Sequence, residues 1–257
     1  MKSETPFLSI IVPVLNEARL ICGFLQHLQT LGAGLEVIVV DGGSSDETVS
    51  IAQVLADHVI VAPRGRATQM NAGAENARGE VLWFLHADLK APLSSVGRIR
   101  AVLSDQRNAG GCFRLRYPRR EWIYRVSDSL GNLGVNVFGF ALGDHGIFCR
   151  RSAFRQVGDY PIVPILEDAE LYVRLRGVGR MTQLREEIVS DPRTFERTGR
   201  YRTTAVYFLI LVLYVLGVPI TRLNKIYRSF SAARARSGGG DCLAGNPAER
   251  AREADLG

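Results

Sequence analysis

Short runs of β-branched and aliphatic residues alternate with longer stretches of helical periodicity from Phe7 to Leu85, the pattern of a mostly parallel sheet flanked by helices. Phe7–Val12 reads as a first strand. Asn16 stands where it can cap a helix whose apolar positions Leu20, Phe24, Leu25, Leu28 and Leu31 follow helical spacing. Val37–Val40 forms a second strand that runs into Asp41-Gly42-Gly43, and Ser44 with Glu47 offers a capping box for a helix ending near Leu55. His58–Val61 is a third strand, Arg66–Ala77 a further helix stopped by Gly79, and Val81–Leu85 a fourth strand apolar enough to be buried on both faces.

Beyond residue 90 the alternation loosens. Ser94–Leu103 and Glu167–Arg176 read as helices, Gly111–Tyr117 and Gly146–Cys149 as strands, and Trp122–Phe138 carries a mixed amphipathic pattern. Ala205–Ile220 contains no charge and is bracketed by Arg197, Arg200 and Arg202 before it and Arg222, Lys225 and Arg228 after it. A helix of roughly 16 residues is about 24 Å long, short of the roughly 30 Å hydrocarbon core of a bilayer. Three readings of this run stay open: a buried helix, an interfacial helix held by its basic flanks on anionic lipid, or a short membrane hairpin, with surface attachment favoured. The segment 231–257 is rich in Gly, Ala and Arg without apolar periodicity and is expected to be disordered. The expected organisation is a catalytic α/β domain over 1–200, a membrane-associating helical segment over 201–230 and a tail over 231–257.

A chain of 257 residues is long enough for one large, well-filled core. Lys and Arg total 32 against 26 Asp and Glu, a net charge of +6 that suits an anionic partner. That partner is not expected to be nucleic acid, because the basic residues are not interleaved with aromatics on any one strand face. The four cysteines, Cys22, Cys112, Cys149 and Cys242, form no C-x-x-C pair and read as reduced thiols. Lys2 and Glu4 lead straight into the first strand with no signal-peptide pattern. The expected location is therefore the cytoplasm or the cytoplasmic face of the membrane.

Candidate chemistry gathers at the carboxyl ends of the strands, where open α/β sheets bind ligands. Asp41 ends the second strand and can accept hydrogen bonds from ribose hydroxyls or a base N–H, and Gly42-Gly43 lets the backbone approach a ligand closely. Its other reading is a carboxylate that merely ends a strand. His86-Ala87-Asp88 follows the fourth strand and projects two polar groups into the same crevice, where Asp88 can hold a divalent cation that neutralises a diphosphate. His86 is equally readable as an ordinary hydrogen-bonded histidine. Arg64 and Arg66 precede a helix and can meet phosphate oxygens or solvent, and Gln69 and Asn71 can offer hydrogen bonds to a sugar. Gly143-Asp144-His145-Gly146 reads either as a tight turn close to a ligand or as a surface turn.

Taken in order, Ile11-Val12-Pro13-Val14-Leu15-Asn16-Glu17, Val39-Val40-Asp41-Gly42-Gly43-Ser44-Ser45-Asp46, the Gly65-Arg66 to Asn71-Ala72-Gly73 segment, Phe84-Leu85-His86-Ala87-Asp88 and Leu166-Glu167-Asp168 resemble the pattern of family-2 glycosyltransferases over roughly residues 7 to 190. The resemblance implies a GT-A type, Rossmann-like fold and inverting transfer of a sugar from a nucleotide-diphosphate donor to a hydroxyl acceptor. It implies that Pro13, Asn16 and Glu17 line the nucleotide pocket with Asp41 and Gly43, that Asp88 binds Mg²⁺ or Mn²⁺ within the His86-Ala87-Asp88 segment, and that Asp168 is the general base. Arg66, Asn71 and Asp144 are further donor-site candidates. The family commonly has Asp-x-Asp where this chain has His86-Ala87-Asp88, so the first carboxylate is absent. The His-Ala-Asp variant, with Gly143-Asp144-His145-Gly146 and a closing hydrophobic segment, is similar to a bacterial subgroup of such enzymes.

A membrane-associated transferase would meet a lipid-linked or amphiphilic acceptor at high local concentration. The rival from another class is a catalytically silent sugar-nucleotide-binding or membrane-scaffold protein, against which the retention of Asp88 and Asp168 speaks. A nicotinamide dehydrogenase is disfavoured because the first turn lacks G-x-G-x-x-G.

Overall fold

The structure, a computed structural model, describes residues 5–193 and 199–237. Eight strands form one sheet: β1 Leu8–Val14, β2 Leu35–Asp41, β3 His58–Val61, β4 Val81–Phe84, β5 Leu89–Lys90, β6 Asn108–Arg116, β7 Phe148–Arg150 and β8 Arg180–Ser190. Their spatial order is β3-β2-β1-β4-β7-β6-β8-β5. The β3-β2-β1-β4 half is wholly parallel, with Ile11 opposite Ile38 and Phe84, and Val14 opposite Asp41. β7 then runs antiparallel between β4 and β6, β6 and β8 are parallel, and β5 closes the edge antiparallel to β8.

Alternation along β1 divides the core. Leu8, Ile10 and Val12 join Ile21, Phe24, Leu25 and Leu28 of α1 (Ala18–Gln29) on one face. Ile11 joins Met70 of α3 (Arg66–Asn76), Leu82 and Phe84 of β4, and Leu171 and Leu175 of α7 (Glu167–Val178) on the other. Helices on both faces explain why β4 is buried throughout. The remaining helices of this unit are α2 Thr48–Leu55, α4 Ser95–Leu103, α5 Trp122–Leu133, which continues into a π-helical turn Gly134–Phe138, and α6 Arg151–Gln156.

Several expected features differ in detail. The side chain of Asn16 does not cap α1, and Ser44 with Glu47 forms no capping box on α2. Instead Ala18 N–H donates to Asp46 Oδ2 and Glu17 N–H to Thr48 Oγ1, so the second loop caps the first helix, while Asp46 Oδ1 accepts the Thr48 N–H. β6 begins at Asn108, ahead of Gly111, and β8 escapes the periodicity because polar residues interrupt its apolar positions and its pairing with β6 slips between Cys112 and Arg114. Cys22, Cys112 and Cys149 are free thiols, and Cys242 lies outside the described residues.

The chain divides into two compact units after Arg197. The second contains α8 Arg200–Val215 and α9 Ile220–Ser237. The apolar run 205–220 is therefore not one helix: it breaks at Gly217, whose φ of 77° is left-handed, and at Pro219. Arg202 lies over the Phe230 ring at 4.7 Å and ties α8 to α9. Among the described residues no helix is long and apolar enough to cross a membrane. The expected disordered tail begins inside α9, which continues to Ser237, and its remainder lies outside the described residues.

Gly73 sets how closely α3 approaches the sheet, since a Cβ there would collide with Ile11 Cγ2 and lie 3.0 Å from Val40 Cγ2. Alanine would gain about 1 kcal/mol of helix propensity, but overpacking a rigid β-branched layer costs roughly 1–3 kcal/mol. Gly73→Ala is expected to lower the urea midpoint; an unchanged or raised midpoint would show that the layer yields.

Candidate active site

The parallel half of the sheet places the ends of β1, β2 and β4 side by side, and the loops after β1 and β2 are fastened to each other. Asn16 adopts a left-handed φ of 55°, which asparagine tolerates better than most residues. Its Oδ1 accepts the Ser45 N–H at 2.8 Å, and its own N–H donates to Ser44 Oγ at 2.8 Å. Buried Asp41 accepts the Gly43 and Ser44 N–H groups, each at 2.9 Å, and the Ser44 hydroxyl at 2.5 Å. A carboxylate has about four acceptor sites, so Asp41 is held rigidly while retaining capacity toward the crevice. Gln69 clamps the floor by donating to the carbonyls of Val14 and Val40 at 2.9 and 2.8 Å.

A second group of side chains faces these loops. The bare α-carbon of Gly143 lies beneath both His86 and Asp168: a Cβ there would collide with His86 Nε2 and sit 2.6 Å from Asp168 Oδ2. Asp168 Oδ1 accepts the buried Tyr160 hydroxyl at 2.9 Å. The Tyr160 main chain is in turn held by both ends of the Asn71 amide, at 2.8 and 3.0 Å. Asn71 thus stands two steps behind Asp168, its amide engaged in positioning. Leu166, immediately before α7, has a φ of 62°, a strained conformation for a branched side chain that aims Glu167 and Asp168 inward.

Like charges crowd this crevice. Burial and then the negative charge of Asp88 push the Asp144 carboxyl above the usual carboxylate range, against the pull of His86, Arg66 and the Tyr117 hydroxyl. Burial and the Asp168 charge likewise raise Glu167, opposed by Arg66 and His86. Arg66 Nε lies 2.7 Å from Glu167 Oε1 as a charge contact that misses hydrogen-bond alignment. Arg193 escaped the sequence reading. It follows β8, donates to both oxygens of Glu17 at 3.1 and 2.9 Å, and lies 3.9 Å from Asp88. It therefore joins the loop after β1 to the acidic group. No local pattern distinguished it from other arginines; Asp191-Pro192-Arg193 at a strand end was the only available signal.

Residues 9–158 match the family model described as Glycosyl transferase family 2. The chain belongs to that family. It is 26% identical over 160 residues to the undecaprenyl-phosphate 4-deoxy-4-formamido-L-arabinose transferase of Enterobacter sp. (strain 638), covering 58% of this chain and 48% of the relative. Against the PGL/p-HBAD biosynthesis glycosyltransferase of Mycobacterium bovis the identity is 29% over 183 residues, 66% of this chain and 69% of the relative. The chain thus spans about half the length of the arabinose-transferase relatives it matches. A solved structure, the mannosyltransferase PcManGT from Pyrobaculum calidifontis in complex with GDP-Man and Mn²⁺, superposes with a TM-score of 0.64 at 19% identity, over 98% of this chain and 79% of that one. The fold is of the GT-A type.

Within this family 2 chain the expected site residues fall into two sets. Pro13 and Asp41 lie at the carboxyl ends of β1 and β2 and Asn16, Glu17 and Gly43 in the loops that follow, whereas Arg66, His86, Asp88, Asp144 and Asp168 surround the acidic crevice, with Ala87 buried between two of them. Among the described residues no three His, Cys, Asp or Glu side chains are close enough to hold a metal by themselves. Asp144 beside Asp88 nonetheless suits a cation, because burial and then the Asp88 charge raise the proton affinity of Asp144 and a positive ion there would offset both.

His145, next to Asp144, is fully buried with neither ring nitrogen hydrogen-bonded. Burial depresses its pKa to about 4, opposed by carbonyls of Leu142 and Gly131 and by the Asp168 charge. In the unfolded chain an imidazole titrates near about 6.5, so the unfolded state binds the extra proton. The folded state therefore loses stability as pH falls from about 6.5 toward 4, by an order-of-magnitude total of about 3 kcal/mol. Denaturant midpoints across this window should fall less steeply for His145→Gln than for the parent; parallel curves would show that His145 is not buried neutral.

Proposed function

We propose that this protein transfers a sugar, with inversion at the anomeric carbon, from a nucleoside-diphosphate donor to a hydroxyl of a lipid-linked or amphiphilic acceptor at the cytoplasmic face of a membrane. The observation that carries the reading is the convergence of Asp168 Oδ2 and His86 Nε2 over Gly143, beside the Asp88–Asp144 pair and in the crevice at the strand ends. The relatives support a sugar transfer involving a lipid carrier and a nucleotide sugar: one is by name a transferase of a modified arabinose and undecaprenyl phosphate, and the superposed mannosyltransferase holds GDP-Man and Mn²⁺.

In this reading Asp41, with Pro13, Asn16, Glu17 and Gly43 around it, takes the base and ribose. Asp88, with Asp144 opposite, would hold Mg²⁺ or Mn²⁺, which supplies neutralisation of the diphosphate charge when bound. Arg193 and Arg66 add fixed positive charge on either side of the same crevice. Asp168 accepts the proton of the acceptor hydroxyl as that oxygen forms its bond to the anomeric carbon. The bond from that carbon to the diphosphate oxygen breaks at the same time, and the nucleoside diphosphate leaves with the electron pair. The Tyr160 hydroxyl on Oδ1 leaves Oδ2, the oxygen over Gly143, to receive the proton.

A thermal-shift series of UDP-, GDP-, CDP- and dTDP-sugars with and without Mn²⁺ is expected to show one metal-dependent stabilisation, since a ligand that binds only the folded state raises its stability. Asp168→Asn should retain that shift and lose nucleoside-diphosphate release by about 10²-fold or more; loss of both would remove the general-base role. Asp88→Ala should abolish the metal dependence of donor binding, and an undiminished Mn²⁺ effect would place the cation elsewhere.

A further inference from the structure

α5 and its π-helical continuation present an apolar face outward. Trp122 is 63% exposed, Leu133 47% and Val137 62%, with Val126 between them also exposed, while Ile123, Tyr124 and Val135 turn to the interior. At about 100° per residue, positions 122, 126, 133 and 137 fall within an arc of roughly 60°. The stripe runs along a helix of roughly 25 Å as two apolar pairs, Trp122 with Val126 and Leu133 with Val137, with the small polar Ser129 between them. An outward apolar stripe inverts the usual amphipathic arrangement, in which the solvent face is polar.

Beside the stripe, between α5, β6 and β8, opens a cleft of about 810 Å³ lined by Arg114, Arg116, Arg119, Arg120 and Arg125. Its carboxylates are Asp128 and Glu187. Glu187 accepts from Arg116 at 2.8 Å. Burial and then the Glu187 charge push Asp128 up to about 6, against the Tyr117 N–H, so it is still largely ionised at neutrality and the two carboxylates offset only part of the charge of the five arginines. Among the described residues no carboxylate pairs with Arg114, Arg120 or Arg125. The apolar part of the lining is Leu115, Tyr117, Leu133 and Val189, of which Leu133 also belongs to the stripe. The Tyr117 hydroxyl donates to Asp144 Oδ2 at 3.2 Å, which connects the cleft to the acidic crevice.

We propose that α5 docks this chain on an anionic phospholipid bilayer, the stripe entering the interface and the arginine cleft receiving a lipid phosphate. Charge complementarity selects this occupant: an exposed Trp on an apolar helical face with arginines along one side is the composition of a helix lying in the headgroup region, and guanidinium groups bind phosphate through paired N–H donors. The cleft's position next to Asp144 brings a hydroxyl carried on such a lipid toward Asp168. The inference rests on the membrane-surface part of the proposed function and not on the transfer chemistry, and it locates the contact on α5 in place of 205–220.

The chain has two tryptophans, and Trp83 is fully buried, so fluorescence quenching by bromolipid reports Trp122. With vesicles of phosphatidylglycerol containing brominated phosphatidylcholine, the full chain should be quenched at low salt, and Trp122→Phe should lose the quenched component. The same brominated lipid in vesicles of phosphatidylcholine alone should quench little. Arg120→Glu/Arg125→Glu should weaken partitioning about tenfold or more. Inorganic phosphate should leave partitioning largely unchanged; full competition by it would identify a free-phosphate site and overturn the docking. Co-sedimentation without Trp122 quenching would also overturn the inference while leaving the membrane reading to another segment. No co-sedimentation at all would overturn both, and a lipid-independent dimer that shields Trp122 would assign the stripe to a second copy of the chain.

Discussion

Repulsion among Asp88, Asp144, Glu167 and Asp168 within one half-buried crevice is the interaction on which the architecture around the site depends. Four carboxylates cannot share low-dielectric space in their ionised forms without compensation. Arg66 and Arg193 supply part of it from opposite sides, one against Glu167 and the other between Glu17 and Asp88. Burial first, and then the charges of Asp88 and Asp168, raise the proton affinity of Asp144 and Glu167 respectively. A site with that electrostatic character attracts cations and protons.

The scaffold holds this arrangement through contacts that contribute no chemistry themselves. Asn71 fastens Tyr160, Tyr160 orients Asp168, and Gly143 leaves the space in which His86 and Asp168 meet. Gln69 joins the ends of β1 and β2 beneath the loops that follow them. A residue that looks from its position like a ligand contact can thus be a strut, as the fully engaged amide of Asn71 illustrates. Side-chain rotamers are determined by such neighbours, and small displacements of reacting groups are costly in rate.

The parallel half of the fold was legible because each strand there is a short aliphatic run and each following helix has its own apolar period. Val81–Leu85 and Arg66–Ala77 needed nothing beyond local sequence. The second half was less so. β8 has charged residues at alternate exposed positions and a register slip, and β5 spans two residues, too few for any periodic signal. The capping of α1 by Asp46 and Thr48 was invisible for another reason: the donors and acceptors belong to different loops, brought together only by the β1–β2 pairing.

The sequence by itself determined the family, the sheet-and-helix class and the placement of Asp41 and Asp88 at strand ends, because hydrophobic period and strand termini are local properties of the chain. Tertiary structure decided which polar groups meet: His86 with Asp168 over Gly143, Glu17 with Arg193, and the arginines of β6 and α5 around one cleft. It also decided that the apolar run 205–220 leaves its helix after Val215 and turns through Gly217 and Pro219. These meetings depend on sheet order, loop path and backbone conformation, which place residues distant in the chain within a few ångströms of each other. No periodicity within a single segment encodes those distances.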